Sequence, residues 1–133
     1  ELIKRLTKKK VKLNITALMT LEQIKSILPV LNKDVPNIIS VFAGRIADTG
    51  RDPIPLMTNC LKEIKINPKS ELLWASSREL LNIFQADQIG CHIITVSKDI
   101  IKKIRMVGYD LEEYSLDTVK TFYEDSVKAS FKT

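Results

Sequence analysis

Arg45 and Arg78 are the side chains of this sequence best suited to gripping a ligand. Each follows a short apolar run. Neighbouring parallel strands lie about 4.8 Å apart, so guanidiniums on two adjacent strand ends can point at one anion. The planar donor fork of arginine matches the oxygens of a phosphate. Ser76 and Ser77, read as the start of a helix, would add hydroxyl and backbone N–H donors. Surface salt bridges are the competing account of both arginines. Asn14 and Thr16 share a strand face with Lys12 and are expected to point inward, where the Asn and Thr could equally satisfy each other. Lys12 has the chemistry for a Schiff base. However, it starts its strand, roughly 13 Å below Thr16 at the strand rise per residue, far from the loops that follow the strands.

Other reactive residue types find no constellation. His92 begins an apolar run without an acidic neighbour and reads as a packing histidine. Asp48, Asp52 and Asp87 show no paired-carboxylate spacing. Cys60 and Cys91 are far apart, and with a single histidine no zinc site has familiar spacing, so no metal or other cofactor is expected. Two free thiols suit a reduced, cytoplasmic setting. Trp74 and Phe42 close their runs and read as core or pocket wall, and Met19 as adaptable packing.

The elements that must position these residues are four βα units. The apolar runs are Val11–Thr16, Ile38–Phe42, Glu71–Ala75 and His92–Val96, each followed by helical spacing and polar residues. That rhythm predicts a parallel α/β sheet. Aliphatics on one face of the first strand and polar residues on the other suit a barrel wall, with Leu13 and Ile15 toward outer helices. Thr20 and Gln23 form a capping-box pattern for the first crossover helix. Residues 43–53 read as a long polar loop, and Asp52-Pro53 as the start of the next helix, running to about Ile66. The helix after Ser76-Ser77 is expected to turn Leu80, Leu81, Phe84 and Ile89 inward, with Gly90 as its stop. Ser97 caps a short helix to about Met106, residues 110–114 read as a linker, and Ser115–Phe131 as a last helix. The expected organisation is a single domain over 1–133, with the βα units in 1–110 and the C-terminal helix in 111–133.

Composition excludes little else. With 44% hydrophobic and 28% charged residues, the chain has the balance of a water-soluble domain and holds no run long enough to span a membrane. No signal peptide is evident, and the start at Glu1 suggests a piece of something longer. The net charge of +5 permits an anionic partner. Most lysines nevertheless fall at helix-surface spacing, and aromatic and basic residues do not interleave, so nucleic acid is not the expected partner. A complete barrel of eight units takes about 250 residues; four units in 133 residues suggest that half of a site is missing.

Three segments carry a family likeness. Asn14-Ile15-Thr16-Ala17, Ser40-Val41-Phe42-Ala43-Gly44-Arg45-Ile46-Ala47-Asp48-Thr49-Gly50 and Trp74-Ala75-Ser76-Ser77-Arg78 resemble, in order and spacing, motifs of the transaldolase family, closest to its small transaldolase and fructose-6-phosphate aldolase-like branch. The resemblance covers essentially the whole chain. It implies a (β/α)8 barrel in which a lysine forms a Schiff base with a ketose phosphate and a dihydroxyacetone unit is transferred. It further implies that Asn14, Thr16, Ser40, Phe42 and Ser76 bind substrate and that Arg45 and Arg78 clamp its phosphate. The chain would correspond to strands five to eight, with the Schiff-base lysine expected upstream of Glu1 and no catalytic residue of its own. Lys10 departs from the glycine often found at that turn. The resemblance also suggests that the last helix packs on a neighbouring subunit. The expected activity is therefore half of a sugar-phosphate aldol-transfer site, inactive alone. The alternative is a non-catalytic phosphate-binding half-barrel that self-associates, as a homodimer or higher oligomer, through its open sheet edges.

Overall fold

The computed structural model describes residues 1–129. Its strands are β1 (Asn14–Leu18), β2 (Ile38–Val41), β3 (Glu71–Trp74) and β4 (Ile93–Ile94). Its helices are α1 (Leu2–Lys8), α2 (Leu21–Ile27), α3 (Ala43–Ala47), α4 (Ile54–Ile64), α5 (Leu81–Gln88), α6 (Lys98–Lys102) and α7 (Leu111–Lys128), with 3₁₀ turns at Leu28–Val30 and Lys103–Met106. The chain divides into two compact units, Glu1–Lys102 and the part from Lys103 onward.

In the first unit all strand pairs are parallel and the sheet order is β1-β2-β3-β4. Strand order that follows chain order without reversal marks a singly wound sheet, the pattern of a barrel wall rather than a doubly wound one. The expected α/β class and parallel βα units are therefore present. Register puts Ile39 beside Leu72 and Val41 beside Trp74. That face joins Ile24 and Leu28 from the α2 segment and Met57, Cys60 and Ile64 from α4 in one buried core. Asn14, Ser40 and Leu73 belong to the opposite face by alternation.

Local chemistry explains the element boundaries. The Thr20 side chain accepts from the Gln23 N–H while Gln23 Oε1 accepts from the Thr20 N–H, the reciprocal cap that the sequence predicts. Asp52 Oδ1 accepts from the Ile54 N–H and starts α4. The first strand begins later than expected, at Asn14. Lys10 turns the chain at φ 55°, and the Leu13 N–H is taken by the Asn37 side chain instead of the ladder. Within β1, Ala17 at φ 62° inserts an irregularity that swings Leu18 onto the core face. The fourth strand is shorter than expected, at two residues.

Three further expectations for the first unit are overturned. Residues 43–47 form α3 directly after β2 rather than a loop. The helix expected to open at Ser76-Ser77 starts at Leu81, because Ser76 sits at φ 62°, outside the helical region, and Asn82 Oδ1 ties up the N–H groups of Arg78 and Glu79. Leu81 and Phe84 are 54% and 47% exposed instead of inward, and α5 buries Asn82 and Ala86.

In the second unit α7 starts at Leu111, because the Asp110 carboxylate accepts from the Glu112 and Glu113 N–H groups. Residues 110–114 are thus a cap and first turn rather than a linker. Tyr109 stacks edge-on to Tyr114 at 5.6 Å and donates its hydroxyl to Asp117 at 2.7 Å. Among the described residues of this unit α7 buries none of its stripe of Leu116, Val119, Phe122 and Val127; Phe131, expected in the same helix, lies outside the described residues. Among the described residues no helix is long and apolar enough to cross a membrane.

Candidate functional site

Of the expected ligand-holding residues, Phe42, Arg45, Ser76 and Arg78 gather where β2 and β3 end, while Asn14 opens β1 and Ser40 lies within β2. β2 runs straight into α3, with Phe42 at the helix start and Arg45 one turn later, its guanidinium carbon 5.8 Å from the Phe42 ring centre. Gly44 lies against the segment that follows β3. Its N–H donates to the Ala75 carbonyl at 3.3 Å, and a Cβ on Gly44 would fall 1.5 Å from the Ser76 carbonyl oxygen. No residue but glycine fits there. This close approach sets the Arg45 helix beside the Arg78 loop.

The Arg78 loop is pinned at both ends. Ser77 Oγ donates to the Thr95 carbonyl at the end of β4, 2.7 Å away. The Arg78 N–H donates to Asn82 Oδ1 at 2.8 Å. The Arg78 guanidinium then reaches Asp48, donating from Nε to Oδ1 at 3.0 Å and from Nη2 to Oδ2 at 2.5 Å. Both side chains stay about half exposed. The Arg78 hydrogen bond holds the Asp48 carboxyl below its ordinary range, with the charges of Arg78 and Arg45 adding to it. Arg45, Asp48 and Arg78 thus form one cluster of two cations and one anion, with a net positive charge facing solvent.

Below this cluster, Ser40 Oγ donates to Asn14 Oδ1 at 2.7 Å across β1 and β2. The partner of Asn14 is therefore Ser40 rather than Thr16. Ser40 is buried while Asn14 and Thr16 are exposed, so the inner face offers an amide nitrogen and a hydroxyl to an incoming molecule. Ser76 is half-buried at the tip of β3, but its place at the start of a helix is not realised. Arg45 also lines a hollow of about 440 Å³ with Arg51, Thr20 and Thr49 beside the start of α2.

Lys12 and His92 stand at the other end of the sheet. Lys12 is exposed ahead of β1. His92 accepts the Leu72 N–H at Nδ1, 3.0 Å away, a structural bond between β3 and the approach to β4. Burial raises both thiols, Cys60 to about 12. Neither supplies a thiolate nucleophile at neutral pH. Among the described residues no three His, Cys, Asp or Glu side chains are grouped to hold a metal.

Asp48 is the member of the cluster that sequence reasoning missed. Its signal was the Arg45-x-x-Asp48 spacing, which places two side chains on one helix face only once residues 43–47 are read as helix.

Comparison with known proteins bears on the family of the chain. The model of the family described as Transaldolase/Fructose-6-phosphate aldolase matches residues 1–133. A probable transaldolase of Streptococcus equi subsp. zooepidemicus is 31% identical over 130 residues, covering 96% of this chain and 55% of the relative. A probable transaldolase of Clostridium botulinum is 29% identical over 91 residues, covering 65% of this chain and 42% of the relative. The chain spans about half the length of these relatives.

Proposed function

The chain belongs to the transaldolase/fructose-6-phosphate aldolase family, and on that premise we propose that it supplies the phosphate-holding half of a (β/α)8 site acting on sugar phosphates. Arg45 and Arg78 take the phosphate, with the Ser76 hydroxyl alongside. Asn14, Thr16, Ser40 and Phe42 line the path of the carbon chain toward the reacting carbonyl. The four strands correspond to strands five to eight. The electron sink for breaking and remaking the carbon–carbon bond is an imine on a lysine of an upstream strand, so the chain alone binds substrate without turning it over. The reaction class is transfer of a dihydroxyacetone unit, in the cytoplasm, where Cys60 and Cys91 stay reduced.

The observation that supports this reading is the contact of Gly44 with the Ser76 backbone, which sets the helix of Arg45 beside the loop of Arg78. The test is intact mass after incubation with fructose 6-phosphate and borohydride. No adduct is expected, while a full-length transaldolase treated in parallel is trapped. An adduct on this chain would mean that one of its own lysines forms the imine and would overturn the half-site reading. Calorimetric titration with fructose 6-phosphate checks the clamp: Arg45→Gln and Arg78→Gln should each weaken binding about tenfold, the worth of a charge-assisted bond.

A second reading has its own support. Among the described residues β1 pairs with β2 alone and β4 with β3 alone, leaving two open edges. Open edges pair with other chains, and two copies could close an eight-stranded pseudo-barrel that binds phosphate without catalysis. Sedimentation equilibrium decides it: a monomer at high protein concentration removes this reading.

A further inference from the structure

A cavity of the first unit lies at the end of the sheet away from Arg45 and Arg78. It measures about 490 Å³ and sits beneath the starts of β3 and β4, against the last turn of α4. About 13 Å of strand separates it from the arginine cluster.

Its wall holds two polar side chains with unmet needs. Asn67 and Ser70, 0% and 5% exposed, are the two ends of a tight turn around Pro68, closed by the Ser70 N–H on the Asn67 carbonyl at 2.8 Å. The Asn67 amide nitrogen is committed to the Leu28 carbonyl, 2.7 Å away. Asn67 Oδ1 and Ser70 Oγ are then left buried with no hydrogen-bond partner among the described residues. Such atoms are rare, because each costs about 1–3 kcal/mol unpaired. A carboxamide oxygen only accepts, so whatever satisfies it must bring an O–H or N–H.

The remaining lining describes the rest of the ligand. The Leu72 N–H occupies His92 Nδ1, which puts the ring proton on Nε2 and makes that nitrogen a donor at the cavity. Lys62 and Lys65, exposed at the end of α4, line the rim and take part in no ion pair among the described residues. Leu61 and Ile64 give apolar floor.

We propose that this cavity binds a small polyhydroxylated anion, its phosphate or carboxylate on Lys62 and Lys65 and its hydroxyls on Asn67 Oδ1 and Ser70 Oγ. It is a second site, independent of the one at the strand ends. Occupancy would clamp α4, the end of the α2 segment and the approach to β4 together, and so stabilise the unit by mass action.

The test is amide-resolved NMR titration of the 133-residue chain with gluconate, glycerol 2-phosphate, inorganic phosphate and sorbitol in parallel. Gluconate or glycerol 2-phosphate should shift the amides of Asn67, Ser70 and Gly90, and which of them binds more tightly identifies the head group. Lys62→Gln with Lys65→Gln, both exposed and so compatible with the fold, should weaken this binding about tenfold or more, while Arg78→Gln leaves it unchanged. Ser70→Ala should weaken it without lowering the stability of the unliganded chain, since it removes an oxygen that has no partner. The proposal is overturned if neither hydroxylated anion moves these amides, if inorganic phosphate or sorbitol binds as tightly, or if the lysine variants bind normally.

Discussion

Beyond the ends of β2 and β3 an ion pair stands half-exposed, whereas just before β2 starts a buried amide is held by backbone. Arg78 and Asp48 hold each other in solvent. Asn37, by contrast, is buried, accepts from the Leu13 N–H at 3.1 Å and donates to the Val35 and Asn32 carbonyls at 2.8 and 3.3 Å. A half-exposed ion pair can exchange its partner for a ligand oxygen at little cost. A buried amide with three backbone bonds cannot move without leaving those groups unpaired. One end of the sheet is built to exchange partners and the other to stay fixed, which is the division of labour expected between the two faces of a barrel.

The sharpest way to break this contrast is at Gly44, the rigid point of the otherwise adaptable end. Gly44→Val would drive a side chain into the Ser76 carbonyl, a backbone atom that cannot rotate away. We expect a loss of about 3 kcal/mol or more, in the range of severe overpacking, read as a lower midpoint in urea. An unchanged midpoint would mean that the two loops are free to separate, and the arginine cluster with them. Asn37→Ala comes next. It removes one acceptor and two donor contacts at a buried site, and about 2–3 kcal/mol is expected from the groups left unpaired. If it proves as mild as a surface change, the fixed end is not fixed by its hydrogen bonds.

The same contrast explains what could be read from the residues alone. The parallel sheet was legible because apolar runs separated by helical spacing are a local pattern, and the cap of α2 because Thr20 and Gln23 lie three residues apart. The start of α5 was not, since Ser76 takes its left-handed backbone beside Gly44, thirty-two positions earlier in the chain. A serine pair before an apolar stretch carries no trace of that. The outward turn of Leu81 and Phe84 has the same origin: once the helix begins at Leu81, Asn82 and Ala86 take the buried positions. At the site, Arg45 and Arg78 were legible by residue type, but the anion between them was not. Asp48 becomes their partner only through the α3 turn and a contact thirty residues away in sequence. The burial of Asn37, Asn67 and Ser70 was not legible, because it is a property of the packed helices around them.

The smallest effect on stability, and the most telling about the adaptable end, should come from Asp48→Asn. The ion pair it breaks is half-exposed, so the urea midpoint at neutral pH should barely move. What linkage it carries lies on the acid side. The Asp48 carboxyl titrates lower in the folded chain than its ordinary value of 3.8. Its contribution is therefore fully present above that value and is lost as pH falls through the lowered folded value. The wild type and Asp48→Asn should converge in stability below that point and differ slightly above it. Ligand binding should respond in the opposite sense. The carboxylate occupies the Arg78 fork that a phosphate would use, and the Asn variant leaves two arginines without their counter-charge. Affinity for fructose 6-phosphate should rise, by roughly threefold at moderate salt, with a steeper salt dependence than the wild type. A fall in affinity instead would make Asp48 the group that aims Arg78, and the exposed end of the sheet would then be as preorganised as the buried one.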